Sequence, residues 1–333
     1  MSSRQTHFKI VALETKFVPI PVIPFPTGYT YDLIEHSNTS ADEIVSRIID
    51  ADIVIVTIAR LTADILSPSA TPKLKMIQVI GSGTDGVNLQ ACKARGVTVC
   101  SLVNGNAQSV AEHAVAGYFA CRRGFGPSSE ALRRGEWAST GMLARTLNDG
   151  DGMPPLTCRE ETVAMIGFGA IGERVSTLLG SLGMKIVVAE RKGQDSIRNG
   201  RISFHQAIET ASVVVLCLPR SSETLNLISV AEFKAMRRHA LLINVSRGGI
   251  VDEAALLAAL RDKQIAGAAT DVFLTEPAEP SNSELLKPET RDLNLVVTPH
   301  IAWYAQETFK TFQEMIIENV VGWCVGKPKR VVV

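Results

Sequence analysis

The sequence lacks the features that mark several large protein classes. Lys and Arg together number 34, and Asp and Glu also number 34, so the formal net charge at neutral pH is zero. A chain without net charge has no long-range field that attracts nucleic-acid phosphates or an acidic membrane surface. No stretch approaches the roughly 18–20 consecutive apolar residues that span a bilayer. We therefore expect neither a nucleic-acid-binding protein nor a membrane protein.

The cysteines also lack the spacing that marks metal sites and disulfide frameworks. No C-x-x-C pair occurs, and several cysteines lie inside apolar runs. Because free thiols prefer buried positions, we predict reduced core residues and no metal site. Residues 1–7 are followed by a strand-like run at 8–13 rather than by the apolar core of a signal peptide. We expect a reducing compartment, most simply the cytoplasm. The cysteines are Cys92, Cys100, Cys121, Cys158, Cys217 and Cys324.

The length and the hydrophobic pattern predict the fold class. A chain of 333 residues is too long for one core, so two domains are expected. Short β-branched runs alternate with longer amphipathic stretches, which is typical of parallel sheets covered by helices on both faces. We therefore predict an α/β fold with two doubly wound parallel sheets. The predicted strands are residues 8–13, 53–58, 76–80, 97–100, 162–166, 185–189, 211–218, 240–245, 265–269 and 293–297.

Two helices are predicted in the first third of the chain and one at its C-terminal end. Residues 41–50 and 88–95 lie between predicted strands and have helical patterns. Residues 306–325 carry apolar side chains at helical spacing. This last helix must pack against another element, and the first domain is the one without a partner. We therefore expect the C-terminal helix to return to the first domain.

The middle of the chain predicts one long helix followed by loops. Ser109 and Glu112 fit the capping box S-x-x-E, in which both side chains bind free amides of a helix's first turn. A long helix should therefore begin at this box and run toward Arg123. Residues 124–155 are rich in Gly, Pro, Ser and Asp, and they predict a loop-rich crossover with one helix near 129–136.

A glycine motif follows the apolar run at 162–166. The motif is G-F-G-A-I-G, with its glycines at Gly167, Gly169 and Gly172. The first glycine permits a tight turn, the second lets backbone amides approach a pyrophosphate, and the third lets helix and strand pack closely. Such spacing alone is weak evidence. A strand before it and a helix-like stretch after it favour a dinucleotide site.

The residues after the next strand bear on the choice of dinucleotide. Glu190 stands where an acidic side chain would accept hydrogen bonds from the adenosine ribose hydroxyls and repel a 2′-phosphate. This favours NAD. However, Arg191 and Lys192 follow at once, and either side chain could move onto a 2′-phosphate. The three residues could also form no more than a solvated loop.

Arg247 ends a strongly apolar predicted strand and precedes two glycines. A guanidinium group at the carboxyl end of a strand can bind a carboxylate and an adjacent carbonyl oxygen together, which would hold a 2-oxo acid in one orientation. The alternative is a salt bridge to Asp252 or Glu253. The glycine pair favours the binding role, because it indicates that another group approaches the backbone closely.

His300 and Glu276 each follow a predicted strand. The carboxyl ends of parallel strands meet at one edge of a sheet, so the two side chains should lie close together. A carboxylate bonded to an imidazole favours the protonated ring, which can then donate a proton in a reaction. Asp271 should contact either the nicotinamide side of a cofactor or the neighbouring backbone. A structural role for His300 alone is the competing interpretation.

The ordered set of motifs resembles the D-isomer-specific 2-hydroxyacid dehydrogenases, which include glycerate, hydroxypyruvate, phosphoglycerate and D-lactate dehydrogenases. The resemblance covers nearly all of residues 81–302 and is specific because the motifs occur together. They are G-S-G-T-D-G-V at 81–87, S-V-A-E-H at 109–113, the glycine motif at 167–172, S-R-G-G at 246–249, V-D-E at 251–253, D-V-F at 271–273, E-P at 276–277 and P-H-I-A at 299–302.

The resemblance implies roles for the residues at these motifs. Arg247 would bind the substrate carboxylate, His300 would donate or accept the proton, and Glu276 would be the partner of His300. The backbone amides of Ser82 and Gly83 would also hold the substrate carboxylate. The implied reaction is reversible hydride transfer between a nicotinamide cofactor and a 2-oxo acid such as glyoxylate, hydroxypyruvate or a bulkier relative.

The resemblance also implies the domain arrangement, the cofactor and the assembly. A Rossmann-type NAD domain of residues 109–302 would be inserted in a flavodoxin-like substrate domain of residues 1–108 and 303–333. Family members usually dimerise through the helix after S-V-A-E-H, so a homodimer is expected. The cofactor would be NAD, with NADP as the alternative. The predicted cofactor contacts are Gly167, Gly169, Ala170, Ile171, Gly172, Glu190, Arg191, Lys192, Leu218, Pro219, Val245, Ser246, Arg247, Asp271, His300 and Ala302.

Some features leave the substrate and even the activity open. Trp303 and Tyr304 stand where small residues are usual, and they either line the substrate pocket or pack in the core. Trp303 is our candidate for substrate contact. Formate oxidation is one alternative, but glutamine accompanies the histidine in such enzymes and Glu276 argues against it. The other is a corepressor-like protein that senses NADH and binds protein partners.

Overall fold

The computed structural model describes residues 5–333. Residues 1–4, the first part of the N-terminal stretch considered above, lie outside the described residues. The chain forms two compact units, of which the first combines the residues up to Asn106 with Tyr304–Val333, and the second is Ala107–Trp303. The sequence predicted domain boundaries at 108/109 and 302/303. The structure also places Ala107, Gln108 and Trp303 in the second unit.

The first unit is built on a five-stranded parallel sheet. Its strands lie in the order β2-β1-β3-β4-β5, which is the flavodoxin order. The edge strand β2 was not predicted, because its residues are half-exposed to exposed and show no buried apolar run. The strands are β1 (Thr6–Ala12), β2 (Tyr29–Glu35), β3 (Ile53–Val56), β4 (Met76–Val79) and β5 (Thr98–Cys100).

Helices cover both faces of this first sheet. On one face, Val54 and Ile77 pack in a core cluster with Ile44 and Ile48 of the short helix α1. The C-terminal helix α10 packs on β4, and its Asn319 Nδ2 donates to Gln78 Oε1 at 2.9 Å. The helices of this unit are α1 (Ile44–Ile48), α2 (Leu89–Arg95) and α10 (Gln306–Cys324).

The second unit is built on a six-stranded parallel sheet in the order β7-β6-β8-β9-β10-β11. Successive residues of its strands enter different cores. Val163 and Met165 pack with α3 and α6, whereas Ala164 and Ile166 pack with α7, α8 and α9. The predicted doubly wound α/β class is thus confirmed. The strands are β6 (Thr162–Ile166), β7 (Lys185–Val188), β8 (Val213–Leu216), β9 (Leu241–Asn244), β10 (Gly267–Thr270) and β11 (Leu295–Val297). The helices are α3 (Ala107–Arg122), α4 (Phe125–Arg133), α5 (Glu136–Thr140), α6 (Ala170–Ser181), α7 (Phe204–Thr210), α8 (Val230–Ala235) and α9 (Glu253–Arg261).

The predicted start of the long helix was wrong by two residues. Helix α3 begins at Ala107, so Ser109 lies inside its first turn instead of capping it. The Ser109 hydroxyl donates to the carbonyl oxygen of Trp303 at 3.3 Å, and the Glu112 carboxylate accepts from Gln108 Nε2 at 2.6 Å. The side chains of the apparent capping box are thus engaged by other groups.

The loop-rich crossover after α3 was also predicted incorrectly. It contains two helices, α4 and α5, where one was expected near 129–136. Gly135 separates them because its φ of 74° cannot continue a right-handed helix. Within residues 5–333, no helix is long and apolar enough to cross a membrane.

Candidate active site

The predicted site residues of the second unit lie at the carboxyl edge of its sheet, the edge where all six parallel strands end. The chain leaves β6 for β7 on one side and then returns past β6 to β8 on the other side. In doubly wound sheets ligands bind at such a reversal of strand order. The residues that follow the six strands there are Gly167, Glu190, Leu218, Arg247, Asp271 and His300.

The glycine turn after β6 is shaped for a pyrophosphate. Gly167 has a φ of 93°, and a Cβ atom there would overlap the carbonyl oxygen of Cys217. Gly169 caps α6, and no atom lies within 4 Å of the position that its Cβ would take. The first N–H with a helical partner is that of Glu173, so the amides before it point out of the helix. Open space in front of free amides is a fit for the anionic part of a dinucleotide.

The other predicted cofactor contacts surround this turn or follow the next strands. The Leu218 Cβ lies 3.0 Å from where a Gly167 Cβ would be, and Pro219 follows it at the surface. Val245 and Ser246 are buried after β9, where the Ser246 hydroxyl donates to Asn244 Oδ1 at 2.7 Å. Because Val245 and Ser246 are buried, they can contact a cofactor mainly through their backbone.

His300 and Glu276 form a direct pair. His300 Nδ1 lies 2.7 Å from Glu276 Oε2, while Glu276 Oε1 accepts the Phe273 N–H at 2.9 Å. The side chains are 42% and 34% exposed, so a small molecule can reach them. With Nδ1 bound to the carboxylate, Nε2 is the ring nitrogen that is left for a substrate. The sequence had brought these residues together by their strand positions, and the structure places them in contact.

The Glu276 carboxylate is held in its ionised form. Burial by itself would raise the pKa of Glu276, but this effect is outweighed. The hydrogen bond and charge of His300, the Phe273 N–H and the charge of Arg247 together lower the pKa of Glu276 below its ordinary value. A negative charge beside Nδ1 stabilises a positive imidazole ring, as proton donation requires.

The backbone at His300 adopts an uncommon conformation. Its φ is 54°, in the left-handed region, which costs on the order of 1–3 kcal/mol for a residue other than glycine. The loop is fixed by two hydrogen bonds, from the His300 N–H to the Asp271 carbonyl oxygen at 2.8 Å and from Trp303 Nε1 to the His300 carbonyl oxygen at 3.0 Å. This conformation aims the imidazole ring toward Glu276.

Asp271 organises the loop that carries His300. Its buried carboxylate accepts the N–H groups of Ile301 at 2.9 Å and Ala302 at 2.8 Å, and the Thr298 hydroxyl at 2.6 Å. Of the two contacts expected for Asp271, the structure shows the one with the backbone. Because the Thr298 hydroxyl donates to Asp271, it accepts from His113 Nε2, which lies 2.9 Å away. Thr298 and His113 were not among the predicted site residues, although His113 ends the S-V-A-E-H motif and Thr298 directly precedes P-H-I-A.

The two aromatic residues after His300 differ in their surroundings. Trp303 packs partly buried against the core between α3, α6 and the sheet, and it braces the His300 loop through its indole N–H. Tyr304 is 66% exposed and makes an edge contact with Phe309. The structure thus gives Trp303 a packing role, and its contact with substrate stays a prediction.

Arg247 lies half-buried after β9, and its Nη1 donates to the Ser246 carbonyl oxygen at 2.9 Å. The two carboxylates of the alternative interpretation have other partners. Asp252 caps α9 through the Ala255 N–H at 3.1 Å, and Glu253 accepts the Leu274 N–H at 2.7 Å. A Cβ atom at Gly248 would overlap the Phe273 carbonyl oxygen, so the Arg247 loop packs directly on the loop that leads to Glu276.

Glu190 does not have the surroundings that the sequence suggested. Its carboxylate is buried and binds the Arg198 side chain, with Nε at 2.7 Å from Oε2 and Nη2 at 2.5 Å from Oε1. Lys192 is also engaged, because its Nζ lies 2.7 Å from Glu232 Oε1 and 3.3 Å from the Leu227 carbonyl oxygen. Lys192 is thus held by protein groups, and its contact with a 2′-phosphate stays a prediction. Arg191 is exposed.

Ser82 and Gly83 lie in the first unit, in the loop after β4. The Ser82 hydroxyl donates to Asn106 Oδ1 at 3.4 Å. Among residues 5–333, no group of three or more His, Cys, Asp or Glu side chains is arranged to hold a metal ion.

Comparison with known proteins places the chain in a family. Residues 115–302 match the family of the D-isomer specific 2-hydroxyacid dehydrogenase, NAD binding domain. The chain belongs to this family. Its members are NAD(P)-dependent oxidoreductases that act on 2-hydroxy acids.

Individual relatives cover almost the whole chain. It is 35% identical over 325 residues to a glycerate dehydrogenase of Methylorubrum extorquens, covering 97% of this chain and 98% of that one. It is 30% identical to a glyoxylate reductase of Aeropyrum pernix, covering 86% and 84%. An NADPH-dependent glyoxylate/hydroxypyruvate reductase from Sinorhizobium meliloti has the same fold, with a TM-score of 0.77, 24% identity and coverage of 98% and 97%.

Proposed function

We propose that this dehydrogenase reduces small 2-oxo acids reversibly and that His300 is its acid–base residue. The observation that carries the proposal is the 2.7 Å contact between His300 Nδ1 and Glu276 Oε2 at the carboxyl edge. When bound, NAD(P)H supplies the hydride. The glycine turn at Gly167 and Gly169 and the free amides that open α6 are suited to hold its pyrophosphate.

The proposed role of His300 is to move one proton. Reduction of a 2-oxo acid leaves negative charge on the oxygen at C2, and a protonated Nε2 can neutralise this oxygen as the charge develops. Glu276 keeps the ring oriented and stabilises its positive form. In the oxidative direction the neutral ring takes the hydroxyl proton. The side chains of both residues are partly exposed, which is compatible with substrate access.

Arg247 is proposed as the residue that binds the substrate carboxylate. A guanidinium group offers two parallel N–H donors in a geometry that matches a carboxylate. The loop that carries Arg247 packs directly on the loop that leads to Glu276, which supports a role at the same substrate molecule. On the family motif alone, we also assign the backbone amides of Ser82 and Gly83 to the substrate carboxylate.

The proposed substrates are glyoxylate and hydroxypyruvate, with bulkier 2-oxo acids as the extension. Support comes from the relatives, which are named glycerate dehydrogenase and glyoxylate reductase. We further assign the second unit, Ala107–Trp303, as the cofactor domain, and the first unit, which combines the residues up to Asn106 with Tyr304–Val333, as the substrate domain. The two parallel sheets and the glycine turn in the second of them support this division.

A panel of substrates tests the proposal. Pure protein is mixed with NADH or NADPH and with glyoxylate, hydroxypyruvate, pyruvate, phenylpyruvate or a branched 2-oxo acid, and the absorbance of the reduced cofactor is followed. Oxidation of the cofactor with at least one of the smaller acids is expected. Binding of reduced cofactor without turnover of any acid would refute the enzyme proposal and favour an NADH-sensing protein.

We also propose a homodimer that works in the cytoplasm. The segment after α3 exposes several large apolar side chains, which a partner subunit can cover. All six cysteines are free, as a reducing compartment requires. Light scattering on a sizing column should give twice the chain mass of 35.9 kDa, whereas a single chain mass would refute the dimer. The exposed side chains are Phe125, Leu132, Trp137, Met142 and Met153.

A further inference from the structure

The Glu190 carboxylate has no acceptor position left for a ribose. Oxygen Oε1 accepts the Arg191 N–H at 2.9 Å and Arg198 Nη2 at 2.5 Å. Oxygen Oε2 accepts Arg198 Nε at 2.7 Å and the Arg198 N–H at 3.3 Å. A carboxylate has about four lone-pair sites, and all four are used here. Ribose hydroxyls could bind Glu190 only by displacing Arg198.

This pair stands at the position that reads the adenosine ribose in dinucleotide folds. Strand β7 is paired directly with β6, which leads into the glycine turn, and Glu190 follows β7. An acidic side chain at this point selects NAD, whereas a nearby arginine accommodates the 2′-phosphate of NADP. The loop is closed at its base, because the Glu190 N–H donates to the Ile202 carbonyl oxygen at 2.8 Å. Arg198 is therefore fixed beside this position.

The exposure of the basic side chains and the charge of the loop after β7 both favour the binding of an anion. The Glu190 side chain is 3% exposed and the Arg198 side chain is 55% exposed, so the guanidinium group covers the carboxylate and faces outward. Arg191 is exposed, and its side chain has no hydrogen bond or ion pair within the part of the chain that the structure describes. Residues 190–201 contain four basic side chains and two acidic ones, of which the acidic Glu190 is already neutralised.

The low pKa of Glu190 agrees with this arrangement. The Arg198 hydrogen bonds, followed by the Arg191 N–H, lower the pKa of Glu190 far below its ordinary value. The carboxylate therefore stays ionised and keeps its hold on Arg198 at any pH at which an enzyme assay is run.

We propose that Arg198, positioned by Glu190 and assisted by Arg191, binds the 2′-phosphate of NADPH and makes this protein prefer NADP(H) over NAD(H). The inference rests on the dinucleotide site of the proposed function, and it reverses the preference for NAD that Glu190 suggested in the sequence. Glu190 is a positioning residue for Arg198. Two guanidinium groups at one phosphate supply charge and paired donors together.

Nucleotide fragments test the inference without any turnover. Calorimetry on the full-length protein compares 2′,5′-ADP, which carries the ribose 2′-phosphate, with 5′-AMP, which does not. We expect 2′,5′-ADP to bind roughly ten- to a hundredfold more tightly, the effect of one charge-assisted hydrogen bond. NADPH and NADH should differ in the same direction.

Two matched variants identify the source of the preference. Arg198→Ala should remove most of the preference for 2′,5′-ADP, and it should leave 5′-AMP binding equal or tighter, because Glu190 is then released to accept ribose hydroxyls. Arg261→Ala removes the same side chain from the exposed last turn of α9, at the opposite edge of the sheet, and should change neither affinity. Thermal unfolding checks that each variant is folded.

The possible failures are distinguishable. Equal binding of 2′,5′-ADP and 5′-AMP by the unmodified protein overturns the inference and leaves the proposed function intact. An Arg198→Ala variant that loses affinity for 5′-AMP as much as for 2′,5′-ADP also overturns it, since Arg198 would then act on the whole nucleotide. Absence of binding for both fragments and for both reduced cofactors would refute the dinucleotide site itself.

Discussion

Replacing Glu276 by glutamine should lower the rate of the reaction in both directions. The carboxylate contacts His300 Nδ1 at 2.7 Å and stabilises the positive ring. A neutral amide cannot supply this negative charge, so the transition state, in which the ring shares the proton with the substrate oxygen, loses stabilisation. Reduction of a 2-oxo acid and oxidation of a 2-hydroxy acid pass through the same transition state, so both rates should fall.

The size of this loss follows from the geometry. A hydrogen bond to a charged group contributes about 1.5–3 kcal/mol, and about 1.36 kcal/mol in the activation free energy is a tenfold change in rate. Because the side chains of Glu276 and His300 are 34% and 42% exposed, solvent screening favours the lower end of this range. We therefore expect kcat for reduction to fall by about tenfold.

Steady-state rates from pH 5 to 9 measure the loss, and Glu289→Gln, the same change at an exposed carboxylate on the surface, is the control. The low pKa of Glu276 adds a second expectation. Stabilisation from an ionised carboxylate with a lowered pKa is complete above its unfolded-state pKa and is lost as the pH falls through the folded value. The His300–Glu276 contact should thus persist throughout the assay range. A Glu276→Gln protein with the kcat of the wild-type protein would refute the pairing.

Three further variants test other parts of the site and the core. Arg247→Lys keeps the charge but loses the paired donors, so KM for the 2-oxo acid should rise about tenfold or more, and an unchanged KM would contradict carboxylate binding. Thr298→Val removes the hydroxyl that donates to Asp271 at 2.6 Å, so kcat should fall while the affinity for reduced cofactor stays constant, and a normal kcat would argue against a positioning role. Arg122→Leu leaves the buried Glu161 without the ion pair whose Nε and Oε1 atoms lie 2.6 Å apart, which should lower the free energy of unfolding by about 3–5 kcal/mol in urea titrations. A loss below about 1 kcal/mol would show that the pair is not desolvated as the structure indicates.

The parts of the fold that the sequence predicts well are those with a periodic apolar signal. The buried strands β3, β4, β6 and β9 were each predicted to within two residues, and the C-terminal helix to within one. Strand β2 could not be found in this way, because it is an edge strand with half-exposed residues and its order comes from pairing with β1. The capping box at Ser109 gave a wrong helix start because the Ser109 hydroxyl donates to the carbonyl oxygen of Trp303, a residue far away in the sequence.

The same distinction applies to the site. His300 and Glu276 were predicted to lie together, and Arg247 was predicted to lie at the carboxyl end of another strand. Each follows a strand of one parallel sheet, and topology alone brings such positions to one edge. The position of a residue after a strand could not predict the partner of Glu190. Arg198 lies in a polar loop with no periodic pattern, and its contact with Glu190 depends on how that loop folds back after β7.

The central claim is that His300 exchanges a proton with the substrate, and His300→Ala tests it most directly. The comparison uses the best 2-oxo acid of the panel, with His205→Ala as a control because this histidine lies on the surface of α7. We predict that kcat/KM for His300→Ala falls by about 10²–10⁴. The affinity for reduced cofactor should stay within twofold of the wild-type value. Turnover close to that of the His205→Ala protein would contradict the account.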